Sequence, residues 1–171
     1  VPRCPREPQP HLGPARADEI AFHLPMSPDP SVAAAAYDEA AGRIAGALAD
    51  GRDVALLCEG DPLLYGSAIH LLARLADRHA VAVVPGVVSA TAVAARGRLP
   101  LAVREEVFSV VPATLSDDGL GRALAAADAV AILKVGRHFD RVRGALRRAG
   151  RAGEAVLAVE ATTDAETLTP L

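Results

Sequence analysis

Asp53 to Ala76 reads DVALLCEGDPLLYGSAIHLLARLA, an apolar run that breaks at Glu59-Gly60-Asp61-Pro62 and passes into a segment of helical period. The run Val54 to Cys58 is short and uniformly apolar, the pattern of a central strand covered on both faces of a parallel sheet. Gly60 allows a sharp turn. Asp61 is then placed to cap a helix, with Pro62 at its first position, where a missing N–H costs nothing. Leu64, Ala68, Leu71, Leu72 and Leu75 fall near one helical face. In open α/β sheets, ligands sit beyond the carboxyl ends of the strands, so this turn is either a binding loop or ordinary capping chemistry.

The flanking chain extends the pattern. Residues 1 to 14 are rich in proline and read as irregular, and a strand is expected around Ile20 to Leu24. Ser31 or Asp29 opens an alanine-rich helix, Val32 to Asp50, which Gly51 ends. After the central strand and its helix, HAVAVVPGVVSATAVAARGRLPL (residues 79 to 101) repeats the arrangement: strand Ala80 to Val84, turn Pro85-Gly86, and a helix from Ser89 to Arg96 capped by Ser89 or Thr91. Strand, helix, strand, helix in that order predicts parallel βαβ units. The charged stretch Leu101 to Glu106 reads as a linker. Beyond it come strand Val107 to Val111, a helix Leu120 to Ala127 opened near Asp117 or Asp118, strand Ala129 to Val135, a basic helix Phe139 to Ala149, strand Ala155 to Glu160, and the start of a further strand in ETLTPL. The prediction is an α/β chain of two small domains with mostly parallel sheets, 1–103 and 104–171, each incomplete.

Composition narrows the function. In 171 residues, 51% are hydrophobic and 23% charged, enough for a packed core rather than disorder. Aromatics at 3% and a net charge of -3 argue against stacking platforms or electrostatic attraction for nucleic acid or anionic membrane. Neither a signal peptide nor an apolar span of about twenty residues is present, so a cytoplasmic protein is expected. Cys4 and Cys58 stand too far apart to suggest a disulfide framework or a CxxC metal site. His11, His23 and His79 share no metal-binding spacing, and His70 reads as a packing or surface residue. Tyr65 could lie over a bound planar ligand, but just inside a helix start it reads as core. No Walker-type phosphate loop and no Ser-His-Asp arrangement is readable.

Three segments, CEGDPLLYGS (58 to 67), VVPGVVSATAVAARGRLPL (83 to 101) and AILKVGRHFDRVRGAL (131 to 146), together resemble the tetrapyrrole methylases. The likeness runs from about Ala15 onward. It implies two α/β domains, S-adenosyl-L-methionine (SAM) as methyl donor in a cleft between them, a tetrapyrrole substrate and a homodimer. Within the family, Lys134 to His138, supported by Val111 to Leu115, is most similar to the branch that methylates carbon 20 of precorrin-2 in corrin synthesis. The branch acting on uroporphyrinogen III is the alternative, and an inactive ligand-binding module is the alternative of another kind. The family opens with a Gly-Pro-Gly-Asp-like loop that residues 1 to 14 do not match, and it continues beyond Leu171, so truncation at both ends is expected.

The resemblance also implies the site. Glu59, Gly60, Asp61 and Leu64 line one side of the donor pocket, Val88 and Ser89 lie near its methionine part, and Lys134 and Val135 close it. Val88 stands where the family usually has Ser or Thr, so a hydroxyl contact is replaced by backbone alone. No catalytic residue is assigned; Glu59 is the candidate for removing a proton after methyl transfer. In the basic stretch Lys134, Arg137, His138, Arg141, Arg143, Arg147, Arg148, Arg151, the last three read as a solvated helix face. Arg137 and His138 are the candidates for binding substrate carboxylates.

Overall fold

The computed structural model describes residues 18–25 and 29–171. The readings of residues 1 to 14, Cys4 and His11 lie outside the described residues. Two compact units emerge. The first combines Val1–Cys58 with Tyr65–Val83, and the second combines Glu59–Leu64 with Val84–Leu171.

The first unit is built on a pair of helices. α1 (Pro30–Ala49) begins as the sequence predicts: Asp29 is the N-cap, its carboxylate accepts from the Ser31 N–H at 2.9 Å, and Pro30 occupies the first turn. Gly51, at φ 76°, takes the left-handed conformation just past its end. α2 (Ala68–Leu75) starts later than expected. Tyr65 has φ 54°, which no right-handed helix tolerates, so residues 61 to 67 form turns and Asp61 caps no helix. Tyr37, Ala40, Ala41 and Ile44 of α1 bury against Leu71 of α2, and Phe22, Leu24, Val54 and Leu75 pack around them. At the rim, Arg74 donates to Asp38 at 2.7 Å and its guanidinium stands 5.7 Å from the centre of the Tyr37 ring. The ring of His70 lies 4.5 Å from that of Tyr37, a packing role.

The expected strands of this part of the chain do not form ladders. Ile20 to Leu24, Val54 to Cys58 and Ala80 to Val84 are paired with no strand among the described residues. Leu56, Leu57, Val81 and Val83 are exposed, Leu57 by 62%. A short apolar run becomes a strand only when neighbours on its edges accept from its N–H groups and donate to its C=O groups. Among the described residues none does so for these runs.

The second unit supplies that pairing. β1 (Phe108–Pro112) and β2 (Ala129–Leu133) run parallel, in register from Phe108 opposite Ala129 to Pro112 opposite Leu133. Between them α4 (Asp117–Ala126) makes the crossover. Its cap is Ser116, whose hydroxyl accepts from the Gly119 N–H at 3.1 Å, one position before the predicted Asp117 or Asp118. α5 (Phe139–Arg148) follows a 3₁₀ turn at Gly136–His138. Leu120, Leu124, Val142, Ala145 and Ala113 form the buried core under β1 and β2. β3 (Val156–Val159) and β4 (Thr167–Pro170) make a separate antiparallel hairpin, so the expected third and further strands exist but do not extend the parallel pair. α3 (Ser89–Gly97) precedes all of these and ends at Arg98, in the left-handed conformation.

Candidate functional site

Every residue singled out for the methyl donor falls in the second unit, because Glu59–Leu64 groups with Val84–Leu171. The turn at Gly60 and the turn at Gly86 are held together directly. The Asp61 carboxylate accepts from the Leu63 N–H at 2.9 Å through Oδ1, which closes its own turn. Oδ2 accepts from the Gly86 N–H at 3.1 Å, a link across 25 positions of sequence. Gly60 has φ 72°, a conformation suited to glycine. At Gly86 the constraint is space. A Cβ there would collide with the Gly60 carbonyl, 2.8 Å from its carbon, and would lie 3.2 Å from the Asp61 Cα.

Beside this junction α3 begins without a side-chain cap. Val88 is its N-cap residue and has no hydroxyl to offer, while Ser89 is already inside the helix and Thr91 spends its hydroxyl on the Val88 carbonyl at 2.8 Å. Neither predicted cap acts as one. The first-turn amides of α3 are thus left without side-chain acceptors, the condition under which a helix start attracts an anion. Around the same two turns Leu63, Leu64, Val84 and Val87 are exposed by 49%, 37%, 79% and 69%, so both turns carry exposed apolar side chains. Glu59 is exposed at the head of the first turn.

Lys134 and Val135 stand at the carboxyl end of β2. Lys134 has φ 58°, which turns the chain out of the strand at once, and Val135 packs on the Ala113 and Leu120 cluster. Arg137 is exposed, and His138, half-buried, donates its backbone N–H to the Val135 carbonyl at 2.7 Å. Among the described residues Arg137 forms no ion pair.

The rest of the basic stretch divides by geometry rather than by position. Arg141 is half-buried and donates to the carbonyls of Ala113 and Leu115, the latter at 2.6 Å, and to Asp117 at 3.0 Å. Arg151, assigned to a solvated face, instead donates to the carbonyls of Leu124 and Ala127 at 3.0 and 2.8 Å and to that of Asp128. Both arginines donate to carbonyls at or near the ends of β1, α4 and β2. Arg147 and Arg148 are exposed as expected, and Arg143 pairs with Asp140 at 3.0 Å. No spacing signal marks Arg141 or Arg151 in advance; their targets come from other elements. Tyr65 is 42% exposed rather than core.

Other chemistry is limited. Cys58 is exposed and free, with its thiol pushed upward by desolvation. Among the described residues no group of His, Cys, Asp and Glu could hold a metal ion, and no helix is long and apolar enough to cross a membrane.

A parallel βαβ crossover defines an α/β protein, and a solved structure shares that fold. The crystal structure of the methyltransferase CobJ matches with a TM-score of 0.60 over 80% of this chain and 62% of that one, at 22% identity. A model of the Tetrapyrrole (Corrin/Porphyrin) Methylases matches residues 4–171, and the chain belongs to that family. It is 42% identical over 135 residues to a precorrin-2 C(20)-methyltransferase from Sinorhizobium sp, covering 79% of this chain and 55% of the relative. A cobalamin biosynthesis protein CobIJ from Mycobacterium tuberculosis (strain ATCC 25618 / H37Rv) is 44% identical over 78% of this chain and 26% of its own length. A cobalt-precorrin-2 C(20)-methyltransferase from Salmonella typhimurium is 32% identical over 84% of this chain and 61% of its own. The chain thus spans between about a quarter and three fifths of the curated relatives it matches.

Proposed function

We propose that this chain carries the donor-binding part of a SAM-dependent methyltransferase acting on carbon 20 of precorrin-2 in cobalamin synthesis. The observation that carries the reading is the junction of the Gly60 and Gly86 turns beside the uncapped start of α3. Its donor set suits a ligand with a carboxylate, an ammonium and a flat apolar ring. The Ser89 and Ala90 amides would hold the carboxylate with Val88 beside the methionine part, Glu59 would receive the ammonium, and Leu64 and the exposed leucines and valines nearby would wall the ring. Lys134 and Val135 would close the pocket, with 1–103 and 104–171 as the two domains. When bound, SAM supplies an electrophilic methyl group to a nucleophilic carbon of the tetrapyrrole. The protein's task is chiefly alignment of the two, with Glu59 the group to take up a proton afterwards.

Arg137 and His138 would hold substrate carboxylates, for which an exposed guanidinium that pairs with no acidic side chain among the described residues is well suited. The similarity to relatives named for carbon 20 of precorrin-2 and cobalt-precorrin-2 favours this substrate over uroporphyrinogen III. The same reading includes a homodimer in the cytoplasm.

Two measurements on the full-length protein test it. Calorimetry with S-adenosylhomocysteine should show saturable binding; none would leave a module that does not take the donor. Transfer of a labelled methyl group should be faster to precorrin-2 than to uroporphyrinogen III, and the reverse order would move the protein to another branch of the family. Arg137→Ala should raise the KM for the tetrapyrrole about tenfold while leaving S-adenosylhomocysteine affinity unchanged. Equal loss of both would place Arg137 elsewhere.

A further inference from the structure

We infer that Asp61 is a positioning residue, a staple between the two donor-site turns that acts through the Gly86 amide rather than by touching the donor. The inference rests on the donor-site reading above and assigns a role within it. Both carboxylate oxygens are engaged by backbone N–H groups, Oδ1 by Leu63 and Oδ2 by Gly86. The partner position admits no side chain, because the Gly60 carbonyl and the Asp61 Cα fill the space a Cβ would need. The turns therefore approach backbone to backbone, and the Asp61 carboxylate spans them. Gly86 leads within three residues into Ser89, the first residue of α3. Fixing Gly86 thus fixes where the uncapped amides of α3 point relative to Gly60.

An asparagine at this position keeps one acceptor oxygen but turns an amide NH2 toward one of the two N–H groups, so one of the bonds must fail. Gly86→Ala breaks the same staple from the other side by steric exclusion. Each variant then removes one shared interaction, and the two should be strongly non-additive.

The test measures S-adenosylhomocysteine affinity by calorimetry, and KM for donor and tetrapyrrole separately, in full-length wild type, Asp61→Asn, Gly86→Ala and the double variant. A staple predicts donor affinity weakened about tenfold to a hundredfold in each single variant, with the double variant no worse than the poorer single one. Donor KM should rise and tetrapyrrole KM hold. Losses that multiply in the double variant would mean that Asp61 contacts the donor independently, and unchanged affinity in Asp61→Asn would remove its role; either overturns the inference. Should Gly86→Ala fail to fold, amide exchange decides: Asp61→Asn should speed exchange of the Gly86 N–H about tenfold or more, and unchanged exchange refutes the staple. Failure of wild type to bind S-adenosylhomocysteine is a separate outcome that defeats the donor-site reading itself and, with it, this role.

Discussion

The segments Val54 to Cys58 and Phe108–Pro112 look alike in sequence, short apolar runs that each lead through a turn into a helix, yet they end in different states. The second is a strand, bonded along its length to β2. The first has no regular secondary structure, with Leu56 and Leu57 exposed and no ladder among the described residues. The contrast separates two properties that apolar periodicity merges. Apolar composition favours burial, which depends on area removed from water; strand formation also needs a second backbone at hydrogen-bonding distance. For Phe108–Pro112 the partner arrives through one short crossover, because α4 is capped by Ser116 and packs Leu120 and Leu124 against both strands.

The sharpest test of that contrast is a pair of truncations. Leu120→Ala removes a side chain with 0% exposure and should cost about 2–5 kcal/mol in denaturant unfolding. Leu57→Ser, at a site 62% exposed, should stay within about 0.5 kcal/mol. A cost for Leu57→Ser as large as that for Leu120→Ala would show that the run is covered in solution and that the two segments are equivalent after all.

Arg141 offers the next largest effect. Arg141→Met keeps the stem but removes the donors that satisfy the Ala113 and Leu115 carbonyls, and a loss of about 1–3 kcal/mol is expected on chemical melts. A Met variant as stable as wild type would mean that water replaces the guanidinium there. Ser116→Ala should cost about 1 kcal/mol by uncapping α4, with Ser116→Asp restoring most of it. If Ser116→Ala is silent, the crossover helix does not depend on its cap.

The smallest expected effect concerns the hairpin. Glu166 accepts from the Thr162 N–H at 2.6 Å and from Arg96 at 2.8 Å, and these bonds hold its carboxyl below the usual value of 4.5. A depressed folded-state value means that the stabilisation is present above about pH 4.5 and is lost as pH falls through the lower folded value. In Glu166→Gln the acid limb of a stability–pH curve measured from pH 6 downward should be flatter. An unchanged limb would assign the acid sensitivity to other carboxylates.

How much was legible follows from the range of each interaction. Helices α1, α3, α4 and α5 lie close to where caps, glycines and periodicity put them, because those signals act within a few residues. α2 starts later than the sequence predicts, because Gly-Asp-Pro has the residues of a helix start and nothing local reveals that Tyr65 adopts a positive φ. The Gly60 and Gly86 turns were recognisable as a pair through family resemblance, but the atom that joins them was not. Arg141 and Arg151 read as charge on a basic helix; their carbonyl partners lie 24 to 28 positions away, except for one at 23.

The sequence by itself determined the alternation of apolar runs and helices, the turn chemistry and the membership of an α/β class, since each depends on residue type and near neighbours. Tertiary structure alone decided which runs became strands, that the last two strands would form their own hairpin, and that Asp61 would reach Gly86. Those outcomes depend on which donors and acceptors meet at about 3 Å once the chain is folded, as the Asp61 carboxylate and the Gly86 N–H do across 25 positions, a condition that composition and spacing do not encode.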